Sequence, residues 1–268
     1  MITLREIVRQ YPAELQKPEF YDPMVKEYLH HHMLKTLFCD KLAYRIAFIG
    51  GTALRYFYDL KRFSEDIDLD CFDLSRTDFM DITDQLLREI KALGLDVILE
   101  DKKRFKELKA FRRVFVFPEL KYKMGLSQQR EAKFFIKVEA ELQNFDYKPD
   151  IKTISNFGVT SPIRTMSLNI LFSSKIAAAL NRKKDRDFYD VVFLINFAKP
   201  DFGFLEKKCG IDKPEQLKLA LLNAAAERKL STRKVFDCEH MLFRKTDINM
   251  IRSFTDYIEH FDFSRFSI

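Results

Sequence analysis

The chain has 268 residues, 46 Lys+Arg against 40 Asp+Glu, and a formal net charge of +6. That length can bury one large core or two small ones, and 47% apolar with 32% charged content excludes a disordered chain. No run approaches the ~20 apolar residues of a membrane helix, the polar N-terminus predicts no secretory signal, and Cys39, Cys71, Cys209 and Cys238 are too scattered for metal-ligand spacing, so reduced thiols in the cytoplasm are expected.

In chain order, residues 1–10 read as a short helix, and Pro12, Pro18 and Pro23 punctuate the loop after it. Pro23 can open the next helix, which runs to about Phe38 and carries His30, His31 and His32. Adjacent helical positions point in different directions, so these histidines cannot share one metal; a solvated or partly packed face is expected. Residues 43–49 are a short apolar run, a buried strand, ended by Gly50 and Gly51. Residues 52–60 have helical period, with Leu54, Phe57 and Tyr58 inward. After a loop over 61–65, residues 66–72 alternate strictly: Asp66, Asp68 and Asp70 share one face, Ile67, Leu69 and Cys71 the other. An amphipathic helix is predicted over 78–93, ended by Gly94, and strands over 97–99, 110–117 and 134–142. The pattern changes between Pro149 and Pro162, and beyond Thr165 helical period dominates, broken at Pro200 and Pro214. The reading divides the chain into residues 1–160, carrying the sheet, and residues 161–268, mainly helical.

The chemistry is concentrated in a succession of elements. Gly50-Gly51-Thr52 lies between a strand and a helix, where glycine lets phosphate approach the backbone and the helix N-terminus offers N–H groups to an anion. Alone, that is an ordinary turn. The next strand adds Asp66 and Asp68 on one face, a like-charged pair that calls for a compensating cation. Hard divalent cations such as Mg²⁺ take carboxylate oxygens together with substrate phosphates. Lys137, Glu139 and Glu141 share a face of the strand over 134–142, and Glu139 is the candidate third carboxylate. Further on, Lys175 and Arg182 share one helix face, and Asp187 and Asp190 another; taken by themselves, these are better explained by capping and ion pairing. Residues 101–133 hold eleven Lys or Arg against four Asp or Glu, a local excess that suits a polyanion. Lys102, Lys103, Arg104, Arg112 and Arg113 are its candidate nucleic-acid contacts, with Lys106 and Lys109 beside them; Phe105 and Phe111 could stack on bases or pack in the core.

The run from Phe48 to Leu54, followed by Arg62-Phe63-Ser64-Glu65-Asp66-Ile67-Asp68-Leu69, closely resembles the nucleotidyltransferase-fold toxins of the AbiEii family, within the DNA polymerase β-like superfamily. Ile136 to Glu139 is similar to that family's third acidic strand, and Lys175 through Arg182 to Asp187 and Asp190 to its two C-terminal motifs. The resemblance covers about residues 44–195, and the first two motifs are its most specific part. It implies an α/β nucleotidyltransferase-like mixed sheet with flanking helices, followed by a mainly helical C-terminal domain. It further implies that Asp66 and Asp68, with Glu139, hold two Mg²⁺ ions. Gly50, Gly51 and Thr52 would contact a nucleoside triphosphate, Lys175 with Arg182 would hold phosphate, and Asp187 would complete the pocket. Ser64 matches a position at which some relatives phosphorylate themselves. Family members are toxins paired with an antitoxin encoded nearby, and some modify the acceptor end of tRNA. The gap from Gly51 to Asp66 is long for the superfamily though ordinary for these toxins, and the basic segment 101–133 aligns with no motif. The expected reaction is nucleotidyl transfer to an acceptor hydroxyl. Kinase-type phosphoryl transfer, nucleotidylation of a small molecule, and an inactive nucleotide- or RNA-binding protein remain open.

Overall fold

A computed structural model describes residues 2–100, 110–234 and 236–267. The chain forms two compact units. The first comprises Met1–Tyr58, Ser64–Asn144 and Lys148–Thr165; the second comprises Asp59–Phe63, Phe145–Tyr147 and Met166–Ile268.

The first unit is built on a mixed seven-stranded sheet. Its helices are α1 (Leu4–Val8), α2 (Tyr21–Cys39), α3 (Gly50–Tyr58), α4 (Arg76–Ala92) and α5 (Leu120–Lys123); its strands are β1 (Ile46–Ile49), β2 (Ile67–Cys71), β3 (Ile98–Glu100), β4 (Ala110–Val116), β5 (Phe135–Glu141), β6 (Asp150–Asn156) and β7 (Val159–Thr165). The strand order is β3-β4-β5-β2-β1-β7-β6. β2 runs antiparallel to β1 and parallel to β5, while β7 runs parallel to β1. Helix α4 shows why such a segment folds as it does. Ser75 caps it in a box with Asp78, and Phe79, Ile82, Leu86 and Ile90 bury one stripe at helical spacing.

Two features depart from expectation. The stretch that shows no clear period is a hairpin, β6–β7, turned at Phe157 and Gly158, both with positive φ (54° and 72°). Pro162 obscures it in the sequence; it is tolerated inside β7 because β1 pairs with β7 only around Thr165. The histidines of α2 are also more deeply set than a solvated face: His30 is 0% and His31 5% exposed. Burial pushes them down to about 3 and about 4, respectively.

The second unit is helical: α6 (Leu168–Asn181), α7 (Asp185–Leu194), α8 (Phe202–Cys209), α9 (Pro214–Arg228), α10 (Ile248–Arg252) and α11 (Phe254–His260). Phe172, Ile176, Phe188, Leu217, Leu221, Phe254 and Ile258 form its core, with the Phe188 and Phe254 rings edge to face at 5.0 Å. The segment Asp59–Phe63 belongs here because its backbone pairs with residues 241–243, Phe63 N–H donating to the Met241 carbonyl and Phe243 N–H to that of Lys61.

Candidate active site

In the first unit the antiparallel register of β1 and β2 sets Ile49 opposite Asp68. The chain turns at the next residue, Gly50, with φ +80°, straight into α3. A Cβ on Gly50 would stand 2.3 Å from Asp68 Oδ2, so only glycine lets the turn and the carboxylate touch. Gly51 is buried in the first turn of α3, where N–H groups have no intrahelical acceptor. Thr52 is fully buried and its hydroxyl donates to the Asp66 carbonyl at 2.6 Å. The hydroxyl therefore fastens α3 to the acidic segment. Ser64 is half-buried on the loop entering that segment.

The parallel pairing of β2 and β5 puts Asp68 beside Glu139, and the antiparallel pairing of β5 and β4 puts Glu139 beside Arg112. Asp68, Glu139 and Arg112 thus form one row across three strands. Arg112 Nε lies 2.7 Å from Glu139 Oε1, and its Nη2 donates to Oε2 at 2.8 Å. Asp66, just before β2, pairs with Lys137 at 3.3 Å. Asp70 is buried and accepts from the Gln143 N–H at 2.9 Å, a bond that ends the strand pair.

Asp66 and Asp68 fit a hard divalent cation: two carboxylates two residues apart, partly exposed, beside the Gly50 turn. Among the described residues no three His, Cys, Asp or Glu side chains close a cation cage. Two carboxylates completed by substrate oxygens is the commoner arrangement for Mg²⁺. Glu139, expected as the third ligand, has both oxygens engaged by Arg112.

The expected nucleic-acid contacts divide. Lys102, Lys103 and Arg104, with Phe105, Lys106 and Lys109, lie outside the described residues. Arg112 is turned to Glu139. Arg113 is a correction: it is 5% exposed and bonded to the Met80 carbonyl, the Thr83 hydroxyl and Asp84 on α4. Strand alternation sends it to the opposite face from Arg112, away from any polyanion on the carboxylate side. Phe111 stacks on Phe79 at 5.6 Å, packed against α4.

In the second unit, α6 and α7 are joined by two ion pairs. Lys175 Nζ lies 2.9 Å from Asp190 Oδ2, and Arg182 grips both oxygens of Asp187 at 2.8 and 2.7 Å. Asp190 also takes Arg62 through two bonds of 2.7 Å. Burial alone would raise the Asp190 carboxyl; Arg62 and then Lys175 outweigh it and hold it at about 2. Two buried cations, Arg62 and Lys175, thus share the Asp190 carboxylate. Lys175 and Asp187 are therefore found buried in ion pairs (5% and 0% exposed). Sequence reasoning assigned no role to Lys137 or Arg62. Strand alternation could have flagged Lys137; nothing local marks a partner 128 positions from Arg62.

Over residues 32–257 the sequence matches the family described as nucleotidyl transferase AbiEii toxin, type IV toxin–antitoxin system. The chain belongs to the AbiEii family. It is accordingly a nucleotidyltransferase toxin, and membership implies a nucleotide substrate and an antitoxin partner. MenT4, a nucleotidyltransferase toxin from Mycobacterium tuberculosis H37Rv, has a similar structure, with TM-score 0.62 and 15% identity over 99% of this chain and 93% of its own. JHP933 from Helicobacter pylori is similar with TM-score 0.51 and 17% identity, over 88% and 91%. A putative nucleotidyltransferase from H. pylori gives TM-score 0.51 and 18%, over 88% and 93%. At these identities the likeness is one of fold. No curated protein matches the sequence. Among the described residues no helix is long and apolar enough to cross a membrane.

Proposed function

We propose that this AbiEii-family enzyme uses Mg²⁺ to transfer a nucleoside monophosphate from a nucleoside triphosphate to the acceptor end of tRNA, in the cytoplasm. The observation that carries the reading is the contact of Gly50 with Asp68, where a Cβ would come within 2.3 Å of the carboxylate. It brings a phosphate-holding turn and a cation-holding pair to one point.

Asp66 and Asp68 are the residues that would hold the metal. Bound there, it would neutralise phosphate charge and align the attacking and leaving oxygens. The other steps belong to the protein. The N–H groups opening α3 at Gly50 and Gly51 bind the triphosphate, and Thr52 keeps that helix on the Asp66 backbone. Lys137 neutralises Asp66 until substrate arrives. Glu139 stays the third carboxylate of the proposal and the candidate base for the acceptor hydroxyl; either role requires its pair with Arg112 to open. Lys175, which shares Asp190 with Arg62, is the proposed phosphate-holding residue, together with Arg182, which Asp187 orients. Ser64 is a hydroxyl two residues from Asp66 and a competing acceptor. Positioning and electrostatics suffice, with no covalent enzyme intermediate.

The test uses α- and γ-labelled nucleotides with cellular RNA. RNA that gains α-label and lengthens, and stops doing so with Asp68→Asn, supports the reading. RNA or protein gaining only γ-label overturns it in favour of a kinase.

A further inference from the structure

Asp66 sits on residues that belong to no strand, one position before β2 begins. Its aim therefore depends on what holds the peptide planes to either side. The plane after it is held by Thr52, whose hydroxyl donates to the Asp66 carbonyl at 2.6 Å. The plane before it carries the Glu65 carbonyl, 3.2 Å from His30 Nε2. Peptide units are rigid, so pinning both planes sets φ and ψ at Asp66 and with them the direction of its Cβ.

The hydrogen-bond roles at His30 follow from its partners. A carbonyl only accepts, so Nε2 carries the proton. His30 is 0% exposed, and burial keeps the ring neutral, which leaves Nδ1 as an acceptor. Tyr56 Oη, 3.0 Å from Nδ1, supplies the proton for that bond. Tyr56 is on α3, the helix that opens at Gly50. One turn before His30 on α2, Lys26 holds the Glu65 carboxylate at 2.5 Å. Tyr56, His30 and the Glu65 carbonyl thus form a chain from the phosphate-turn helix to the residue before Asp66.

We propose that His30 is a positioning residue for nucleotidyl transfer, holding with Thr52 the two peptide planes that aim the Asp66 carboxylate. The inference rests on the assignment of Asp66 and Asp68 as the cation-holding pair. A histidine that merely filled the core would be replaced by an apolar residue of similar size without effect on that pair. A positioning histidine needs its Nε2–H.

The experiment titrates Mn²⁺ alone against each purified variant by electron paramagnetic resonance, with folding checked by circular dichroism and Asp66→Asn as control. His30→Leu is expected to bind Mn²⁺ about tenfold more weakly, within the range that orienting partners of metal ligands control. It should also raise the Mn²⁺ needed for half-maximal transfer while leaving the nucleotide KM within about twofold, since the α3 turn is untouched. His30→Gln, whose amide N–H reaches toward the same carbonyl, should restore most of the loss. Wild-type Mn²⁺ binding by folded His30→Leu overturns the inference and leaves the assignment of Asp66 and Asp68 standing. Wild-type binding by Asp66→Asn sinks that assignment and the inference with it. If His30→Leu does not fold, Tyr56→Phe decides. It keeps the ring and frees the His30 proton to move to Nδ1, so weaker Mn²⁺ binding supports the proposal and unchanged binding overturns it.

Discussion

A methyl group on Gly50 would meet Oδ2, Cβ and Cγ of Asp68 at 2.3, 3.0 and 3.0 Å, on a backbone with φ +80°. The left-handed conformation alone costs a non-glycine residue about 1–2 kcal/mol, and the contact would displace the carboxylate. Gly50→Ala is therefore expected to lose turnover about 100-fold or more, because an ångström of misplacement has that effect. Its melting temperature should fall only by roughly 3–8 °C. Paired transfer assays and thermal melts check this, and wild-type turnover would show that Asp68 can shift without consequence. At this scale the sequence is informative where one residue type has a single geometric use. Adjacent glycines after an apolar run, and carboxylates two apart on a strand, are legible as chemistry. The partners of those carboxylates are not. Lys137 and Arg112 reach Asp66 and Glu139 through strand register, and register is set by the whole sheet.

The α6–α7 hairpin is closed by Lys175–Asp190 and Arg182–Asp187, and Asp190 carries Arg62 as well. Asp190→Asn would leave Arg62 and Lys175 without the carboxylate they share, a loss of roughly 3–5 kcal/mol for breaking a buried pair. Urea unfolding should show it as a lower midpoint at unchanged slope; a midpoint within error of wild type would mean the cations find another partner. The folded Asp190 carboxyl is held at about 2, below its unfolded value of about 3.9. Its contribution is thus present above pH ~4 and is lost as pH falls through about 2. Helix α2 responds in a different window. His30 and His31 are lowered from 6.5 to about 3 and about 4, so below pH ~6.5 the unfolded chain binds more protons. Each histidine then removes on the order of 1 kcal/mol of stability per pH unit, down to its folded value. Denaturation midpoints at pH 7.5, 6 and 5 should fall progressively. A flat profile would mean the rings accept protons in place. The amphipathic period of α4 is plain in the sequence, whereas α2 buries residues around much of its circumference, which is why its histidines read as a solvated or partly packed face rather than a buried one.

For the whole molecule, the basic segment and its proposed RNA partner give a test that separates charge that binds RNA from charge that supports the fold. Neutralising Lys102, Lys103 and Arg104 together should reduce the slope of log affinity for tRNA against log salt by about 0.7–0.9 for each lost phosphate contact. Arg113→Ala should destabilise the fold, because it removes the bonds to α4, and leave that slope unchanged. A filter-binding series in increasing salt checks both, and a slope untouched by the triple change would remove the segment from the RNA surface. The sequence by itself determined the alternation that places Asp66 and Asp68 on one strand face, the glycine turn before them, and the succession of motifs that marks the AbiEii family. These are local properties, carried by periods of two and 3.6 residues and by the conformational freedom of glycine. Only the tertiary structure decided that β6 and β7 complete the sheet, that Glu139 faces Arg112, that Arg113 is buried, and that Arg62 and Lys175 share Asp190. Those outcomes depend on pairings between residues far apart in the chain, which form because a buried charge or an unpaired carbonyl must find a partner wherever the fold brings one near.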